Sequence, residues 1–362
     1  MSKVFIVGLR MKEDDQHEAL ESFSELMQLA RTLDMEIVGK GFQVIREPTH
    51  SHLLGKGKVE ELAQEIASLD PERVLVDFEL SPLQCRNLEE SWGRPVLDRH
   101  GLIIEVFSKH ATTSEGKLQV ELALLKYKLP RLSGRNLAYD QQTGGGGSAY
   151  LRGSGERAID IARRQIRSRI RVLEKKIELV ARHREIKSKR REKSDVPLVS
   201  LVGYTNAGKS TLLNSLTGAN VLTQNKLFST LDTTVRARIH DGQKILFADT
   251  VGFIRNLPVD LVAAFRSTLE EVLSSDVILH VFDATNPDWE RHIEVAQGIL
   301  DDLGASNIPM LYVANKSDLV SEEKQKEISS HLDDVVFVSA LERRGLDILL
   351  GKLSQNLFAL KV

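Results

Sequence analysis

Along the N-terminal part of the chain, short apolar runs alternate with stretches in which apolar residues return every three or four positions. Val4-Phe5-Ile6-Val7-Gly8 predicts a strand, and His17 to Asp34, with Leu20, Phe23, Leu26, Leu29 and Ala30 at helical spacing, predicts a helix. Met35 to Val44 reads as a second strand with polar interruptions, Val59 to Leu69 as a helix, Arg73 to Phe78 as a strand, Pro82 to Trp92 as a helix and Pro95 to Asp98 as a last strand. This alternation predicts a small α/β domain on a mainly parallel sheet. Gly55-Lys56-Gly57-Lys58, ahead of the second helix, admits two readings: a phosphate or RNA-backbone contact, or a solvated turn leading into the helix. It lacks the spacing of a full phosphate loop and has no Ser or Thr after the lysine.

From Leu102 to about Leu129 the pattern is helical, with Leu118, Val120, Leu122, Leu124 and Leu125 supplying apolar surface, and Pro130 is expected to end the helix. Asp140 to Gly155 (DQQTGGGGSAYLRGSG) has no apolar period, so it reads either as a plain linker or as a loop ordered by a partner. Tyr139 beside it, and Tyr150 and Arg152 within it, could stack on bases or pair with phosphates. Glu156 to about Lys189 reads as one long helix with an apolar stripe of Ile159, Ala162, Ile166, Ile170, Leu173, Ile177 and Val180. That stripe predicts a helical hairpin with the preceding helix. Arg163, Arg164, Arg167, Arg169 and Arg171 then lie partly in solvent, as a nucleic-acid contact or as an ordinary solvated face. Lys187 to Lys193 is a basic hinge into the next domain.

Val199, Leu201 and Val202 predict a buried strand that runs into Gly203-Tyr204-Thr205-Asn206-Ala207-Gly208-Lys209-Ser210, a phosphate-binding loop in every fixed position, with a helix from Lys209. Glycines at both ends let backbone N–H groups converge on a polyphosphate; Lys209 is expected to reach β- and γ-phosphate oxygens and Ser210 to ligate Mg²⁺. Lys244 to Ala248 predicts a strand ending in Asp249-Thr250-Val251-Gly252, where Asp249 can hold a Mg²⁺-bound water and the Gly252 N–H can meet the γ-phosphate. Between them Phe228-Ser229-Thr230-Leu231-Asp232 belongs to a threonine-rich loop, and Thr230 is the residue expected to close over Mg²⁺. Leu311 to Ala314 empties into Asn315-Lys316-Ser317-Asp318. A carboxylate at Asp318 pairs with guanine's ring N–H and exocyclic amine, and leaving it unpaired against adenine costs about 1–3 kcal/mol, so the expected nucleotide is GTP. Asn315 is expected to tie the loops together and the Lys316 stem to lie on the ring face. Val335 to Val338 ends in Ser339-Ala340-Leu341, whose backbone can meet the guanine carbonyl oxygen. Lys209, Thr230 and Gly252 are therefore the groups expected to support the transition state. No general base is identified: Phe253 stands where Ras-type GTPases carry the water-orienting glutamine, so slow intrinsic hydrolysis that a partner accelerates is expected.

Charge sharpens this picture. The formal net charge of −2 conceals a basic centre: Arg152 to Lys193 holds sixteen Lys/Arg against six Asp/Glu, a balance of +10, whereas Asp195 to Val362 holds fifteen against twenty-two, a balance of −7. A single cysteine, Cys85, excludes an internal disulfide framework and is best placed in the core. No apolar run approaches membrane-spanning length, and acids follow the start too closely for a signal peptide, so a cytoplasmic protein without stable membrane insertion is expected.

The chain resembles the HflX family of ribosome-associated GTPases, of the translation-factor-related, TrmE–Era-like class of P-loop GTPases. The resemblance rests on GYTNAGKST (203–211), LFSTLDTT (227–234), DTVGFIRNLP (249–258), LVAAFRSTLEEV (261–272) and NKSD in the C-terminal half. In the N-terminal half it rests on LLGKGKVEEL (53–62), VLDRHGLIIEVF (96–107) and EGKLQVELALLKYKLPRL (115–132). A phenylalanine after the glycine of DTVG is itself characteristic of that family. Two departures stand out: the family's RGPGETQLE reads RGSGERAID at 152–160, and a C-terminal extension of some relatives is expected to be missing. The resemblance implies a mixed α/β fold in three parts: an N-terminal α/β domain (1–108), a helical hairpin with a glycine-rich loop (109–194) and a GTPase domain (195–362). It further implies GTP hydrolysis with Mg²⁺ and a monomer that binds the large ribosomal subunit and the 70S ribosome through rRNA. Tyr150, Arg152, Arg163, Arg164 and Arg167 are the contact candidates, with splitting or rescue of stalled ribosomes as the outcome. A nucleic-acid-remodelling enzyme and a protein-directed signalling switch are the competing classes. Neither gains a metal cluster, a second complete nucleotide site or a lipid anchor from the sequence.

Overall fold

The computed structural model describes residues 2–13, 15–132, 152–192, 196–218, 227–228, 234–255 and 272–358, with the backbone alone at 152–157 and 183–192. Contacts divide the chain into two units, residues 1–109 with 117–179 and residues 110–116 with 180–362.

The first unit is built on β1 (Lys3–Met11), β2 (Glu36–Ile45), β3 (Arg73–Val76) and β4 (Val96–Asp98), a parallel sheet in the order β2-β1-β3-β4. Its helices are α1 (Gln16–Thr32), α2 (Lys56–Leu69), α3 (Pro82–Trp92), α4 (Arg99–His110), α5 (Ser114–Arg131) and the first part of α6 (Arg152–Glu192). Val4 to Val7 are fully buried, as expected of a strand covered on both faces. Phe5, Val7, Leu62, Ile66, Val74, Val76 and Leu88 form the core between the sheet and α2–α3. Helix α3 begins where the sequence predicts because Ser81 and Gln84 cap each other's backbone N–H and Pro82 occupies the first turn.

Among the boundaries that differ from the hydrophobic pattern, three fall in the predicted hairpin region. The predicted helix from Leu102 to Leu129 is two helices, α4 and α5, divided at Ala111–Thr113, where the Thr113 hydroxyl accepts the Gly116 N–H at 3.0 Å. Pro130 lies inside the last turn of α5, and the Arg131 guanidinium donates to the Tyr127 carbonyl at 3.2 Å. At this depth in the last turn the ring forfeits little. Helix α6 starts at Arg152, so Arg152 to Gly155 belong to the helix and not to the glycine-rich loop. The predicted stripe faces inward: Leu173 is buried, with Ile159, Ala162, Ile166, Ile170, Ile177 and Val180 half-buried. Charged contacts reinforce α5 against α6, with Arg169 donating to both oxygens of Glu121 at 2.6 and 2.8 Å and Lys126 paired with Glu174 at 3.1 Å.

Two buried charge clusters hold this unit together. Asp98, at the end of β4, accepts the Tyr127 hydroxyl and the Gly101 N–H, both at 2.8 Å, and also Arg131 at 2.8 Å and the Leu80 N–H at 3.2 Å. Arg99 pairs with Asp77 at 2.9 Å and with Glu25, and donates to Ser22.

The second unit has β5 (Leu198–Val202), β6 (Thr234–His240), β7 (Gln243–Asp249), β8 (Val277–Asp283), β9 (Met310–Asn315) and β10 (Val336–Phe337) in the order β10-β9-β8-β5-β7-β6, parallel except for the β6–β7 pair. Helices α7 (Lys209–Thr217) and α10 (Leu346–Phe358) contribute Leu212, Leu213, Leu349 and Leu353 to a core with Val199, Leu201, Leu279 and Val313. Helix α8 (Trp289–Leu303) covers the other face, and α9 (Glu322–His331) adds Ile328 there. The carboxyl ends of β5, β7, β8, β9 and β10 share one edge, which is where an open α/β sheet presents its binding loops. Among the described residues no helix is long and apolar enough to cross a membrane.

Removing the Arg99 cation would take the guanidinium away from the buried carboxylates of Glu25 and Asp77, a loss of about 3–5 kcal/mol. Cys85 offers a reporter, because burial pushes its thiol up to about 12 and makes it inert in the native chain. Arg99→Ala should therefore expose Cys85 to a thiol reagent at urea concentrations that leave the unaltered chain unlabelled. Equal labelling of both would refute this account of the cluster.

Candidate functional site

The turn from β5 into α7 has backbone conformations that only certain residues tolerate. Gly203 lies at φ +143°, and a Cβ there would sit 2.0 Å from the Val281 carbonyl oxygen; Gly208 lies at φ +90°, and a Cβ there would meet the Asn315 amide nitrogen at 2.2 Å. Asn206, at φ +63°, is exposed between them.

Lys209 is buried and donates to the carbonyls of Gly203 at 3.0 Å and Tyr204 at 2.9 Å. Burial pulls its ammonium down to about 8, opposed by the negative charge of Asp249. The Ser210 hydroxyl donates to Asp249 at 2.6 Å, and the Thr250 hydroxyl donates to the Leu201 carbonyl at 2.7 Å. A hydroxyl and a carboxylate that converge in this way are hard oxygen donors of the kind Mg²⁺ takes. After Asp249-Thr250-Val251, Gly252 packs so closely that a Cβ would stand 3.1 Å from the Lys209 ammonium. Phe253 then donates its N–H to Gly203 at 3.0 Å and accepts the Thr205 N–H at 2.8 Å, and its ring is buried with Val202, Ile278, Ala296 and Leu300. The Arg255 N–H donates to the Tyr204 hydroxyl at 3.0 Å, and the Tyr204 ring stacks on His292 at 3.7 Å.

Beside this lies a cavity of about 350 Å³, lined by Asn206, Gly208, Thr211, Asn315, Lys316, Asp318, Leu319, Ser339, Ala340 and Leu341. Asn315 joins three loops: its amide donates to the Ala207 carbonyl at 2.9 Å and accepts the Ala340 N–H at 3.0 Å. The Ser317 N–H donates to the Val338 carbonyl, Ser339 is fully buried, and Ser215 bonds the Ala340 carbonyl at 2.5 Å. Leu341 is 82 % exposed at the cavity mouth.

The structure thus brings together 203–210, 249–252, 315–318 and 339–341. Phe228 is buried at φ +56°; Ser229, Thr230, Leu231 and Asp232 lie outside the described residues, as do Tyr139 and Tyr150. Arg152 is placed by its backbone at the start of α6. Arg163 is half-buried and donates to the Leu132 carbonyl at 3.3 Å, while Arg164, Arg167 and Arg171 are exposed. In the first unit, Gly55 is the N-cap of α2 and Lys58 pairs with Glu61 at 2.6 Å. Sequence reasoning passed over Asp283, His292 and Arg255. Asp283 carries the same signal as Asp249, an acid closing an apolar strand.

Gly208→Ala should weaken binding of a fluorescent guanine nucleotide roughly 10- to 100-fold, from strain of about 1–3 kcal/mol at this φ together with the clash against Asn315. Gly218→Ala is the control: it shares a positive φ of 68°, with nothing within 4 Å of the added carbon. Equal affinities for the two variants would contradict this reading of the loop.

Comparison with known proteins agrees along the whole length. Residues 20–108 match the model described as GTP-binding GTPase N-terminal, 110–191 the GTP-binding GTPase Middle Region and 198–316 the 50S ribosome-binding GTPase. The chain is 44 % identical to GTPase HflX of Caldanaerobacter subterraneus subsp. tengcongensis over 357 residues, covering 98 % of this chain and 81 % of that protein. With GTPase HflX of Escherichia coli K12 the identity is 39 %, over 97 % of this chain and 82 % of the relative. The crystal structure of SsGBP in complex with GDP superposes with a TM-score of 0.53 at 26 % identity, covering 100 % of both chains. With identities of 44 % and 39 % over nearly all of its length to these two relatives, the chain belongs to the HflX GTPase family.

Proposed function

We propose that this chain is a GTP hydrolase that binds the large ribosomal subunit and the 70S ribosome through rRNA and uses its nucleotide cycle to split or rescue stalled ribosomes under stress. The observation that carries the reading is the junction at Asn315, which draws the phosphate loop, the NKSD loop and the Ser339–Leu341 loop around one cavity. A match of residues 198–316 to a ribosome-binding GTPase model supports the choice of partner.

In this reading the N–H groups of 206–210 receive the phosphates, and Lys209 exchanges its two carbonyl partners for phosphate oxygens. Ser210 and Thr230 would hold Mg²⁺, with Asp249 acting through water, and the ion would supply positive charge against the phosphates. Asp318 reads the guanine N–H groups, with Asn315, Lys316, Ser317 and the backbone of Ser339–Leu341 around the base. Lys209, Thr230 and Gly252 stabilise the charge that develops during transfer. Phe253 cannot polarise water, so the group that orients the attacking water comes from the ribosome or from another switch residue.

Three parts divide the labour: an α/β domain (1–108), a hairpin (109–194) that meets rRNA through Tyr150, Arg152, Arg163, Arg164 and Arg167, and the GTPase domain (195–362). The protein works as a cytoplasmic monomer.

GTP turnover should rise several-fold or more when purified large ribosomal subunits are added, and a non-hydrolysable GTP analogue should carry the chain into the ribosomal pellet more completely than GDP. Binding of GTP without either response would retain the nucleotide site and remove the ribosome from this proposal.

A further inference from the structure

Asp283 closes β8 and pairs in register with Asn315, the residue that ties the loops together. One of its carboxylate oxygens receives the Lys316 ammonium at 2.5 Å; the other accepts both the N–H and the hydroxyl of Thr285, at 2.9 and 2.7 Å. The carboxylate is thus fixed from one side and holds the lysine from the other. Lys316 adopts a left-handed backbone, φ +62°, and lines the 350 Å³ cavity together with Asp318. Its stem has four rotatable bonds, and its head has a second carboxylate, Asp318, only two residues away.

These facts set a problem of competition. A lysine ammonium left to itself beside Asp318 is drawn to the carboxylate that must stay available to a base. Pairing there would neutralise the acceptor and occupy its lone pairs. Asp283 removes that choice by engaging the ammonium, while Lys316 remains part of the cavity lining. The ordering of this long side chain is then met by folding and not by the ligand.

We infer that Asp283 is a positioning residue for base recognition, which anchors Lys316 and so keeps Asp318 free to discriminate the ligand's hydrogen-bond pattern. The inference rests on the guanine-nucleotide reading of this cavity.

The test uses the full chain, with a fluorescent GDP as probe and unlabelled GDP and IDP as competitors; IDP lacks the exocyclic amine. Asp283→Asn keeps the acceptor for Thr285 and removes the charge that holds Lys316. It should weaken GDP about tenfold, the loss expected when a ligand must order such a side chain, and it should narrow the preference for GDP over IDP. In a Lys316→Ala background the same substitution should have no further effect. A defect that merely disturbed the strand end would lower both nucleotides equally and would persist without the lysine. Unchanged GDP affinity, an unchanged GDP/IDP ratio, or an equal loss in the Lys316→Ala background would each overturn the inference. Failure of the unaltered chain to bind the fluorescent GDP would instead overturn the nucleotide reading beneath it. Asp283→Ala, which also releases Thr285, should weaken GDP at least as much, and thermal melting of each variant separates loss of fold from loss of binding.

Discussion

Asn315 is the side chain on which the geometry of the GTPase unit turns. It is almost fully buried, and its amide meets the carbonyl of one loop and the N–H of another while its own backbone ends β9. A parallel sheet delivers these loops to one edge but does not by itself fix their spacing; the amide does so because neither buried backbone group has water as an alternative. The cost of that solution is paid in sequence freedom. Gly208 must lack a side chain because the amide occupies the space a Cβ would need, and Gly203 must lack one because β8 passes directly beneath.

The position of the segment after Asp249 follows from a different force. The Phe253 ring sinks into the cluster of Val202, Ile278, Ala296 and Leu300, and burying a side chain of this size is worth about 1.5–3 kcal/mol. Its backbone exchanges two hydrogen bonds with the phosphate loop, which brings Gly252 against Lys209. A glutamine at this position would take a polar amide into the same apolar cluster. Phenylalanine therefore answers to packing here.

Much of the fold was legible because its signals are local. Apolar runs marked all four strands of the first sheet and β5, β7, β9 and β10 of the second, though not β6 or β8, and Pro82 marked the start of α3 to the residue. The boundary errors arose where a single side chain overrode the pattern: Thr113 divides α4 from α5, and Arg131 reaches back to carry α5 past Pro130. In the site, the phosphate loop and the Asn315–Asp318 element were legible because their chemistry requires particular residues at fixed spacing. The Asp283–Lys316 pair, the Tyr204–His292 stack and the pairing of Phe253 with Gly203 were not. They depend on register between strands distant in sequence, and an acid at a strand end does not name its partner.

The same distinction applies to the arginines of α6, which charge counting alone treats as equivalent. Arg169 donates from Nε and Nη2 to the two oxygens of Glu121, and Arg163 is half-buried against the Leu132 carbonyl; Arg164, Arg167 and Arg171 project into solvent. Fixing Arg169 on a carboxylate favours the packing of α5 on α6, but it also cancels the charge that a phosphate would meet. Of these five arginines, Arg164, Arg167 and Arg171 are therefore the ones whose charge a polyanion would meet in solvent. What the paired arginines contribute is rigidity: with the stripe from Ile159 to Val180 turned inward, the exposed ones stand on a helix whose orientation against α5 is already set. A polyanion that meets them need not order the helix itself.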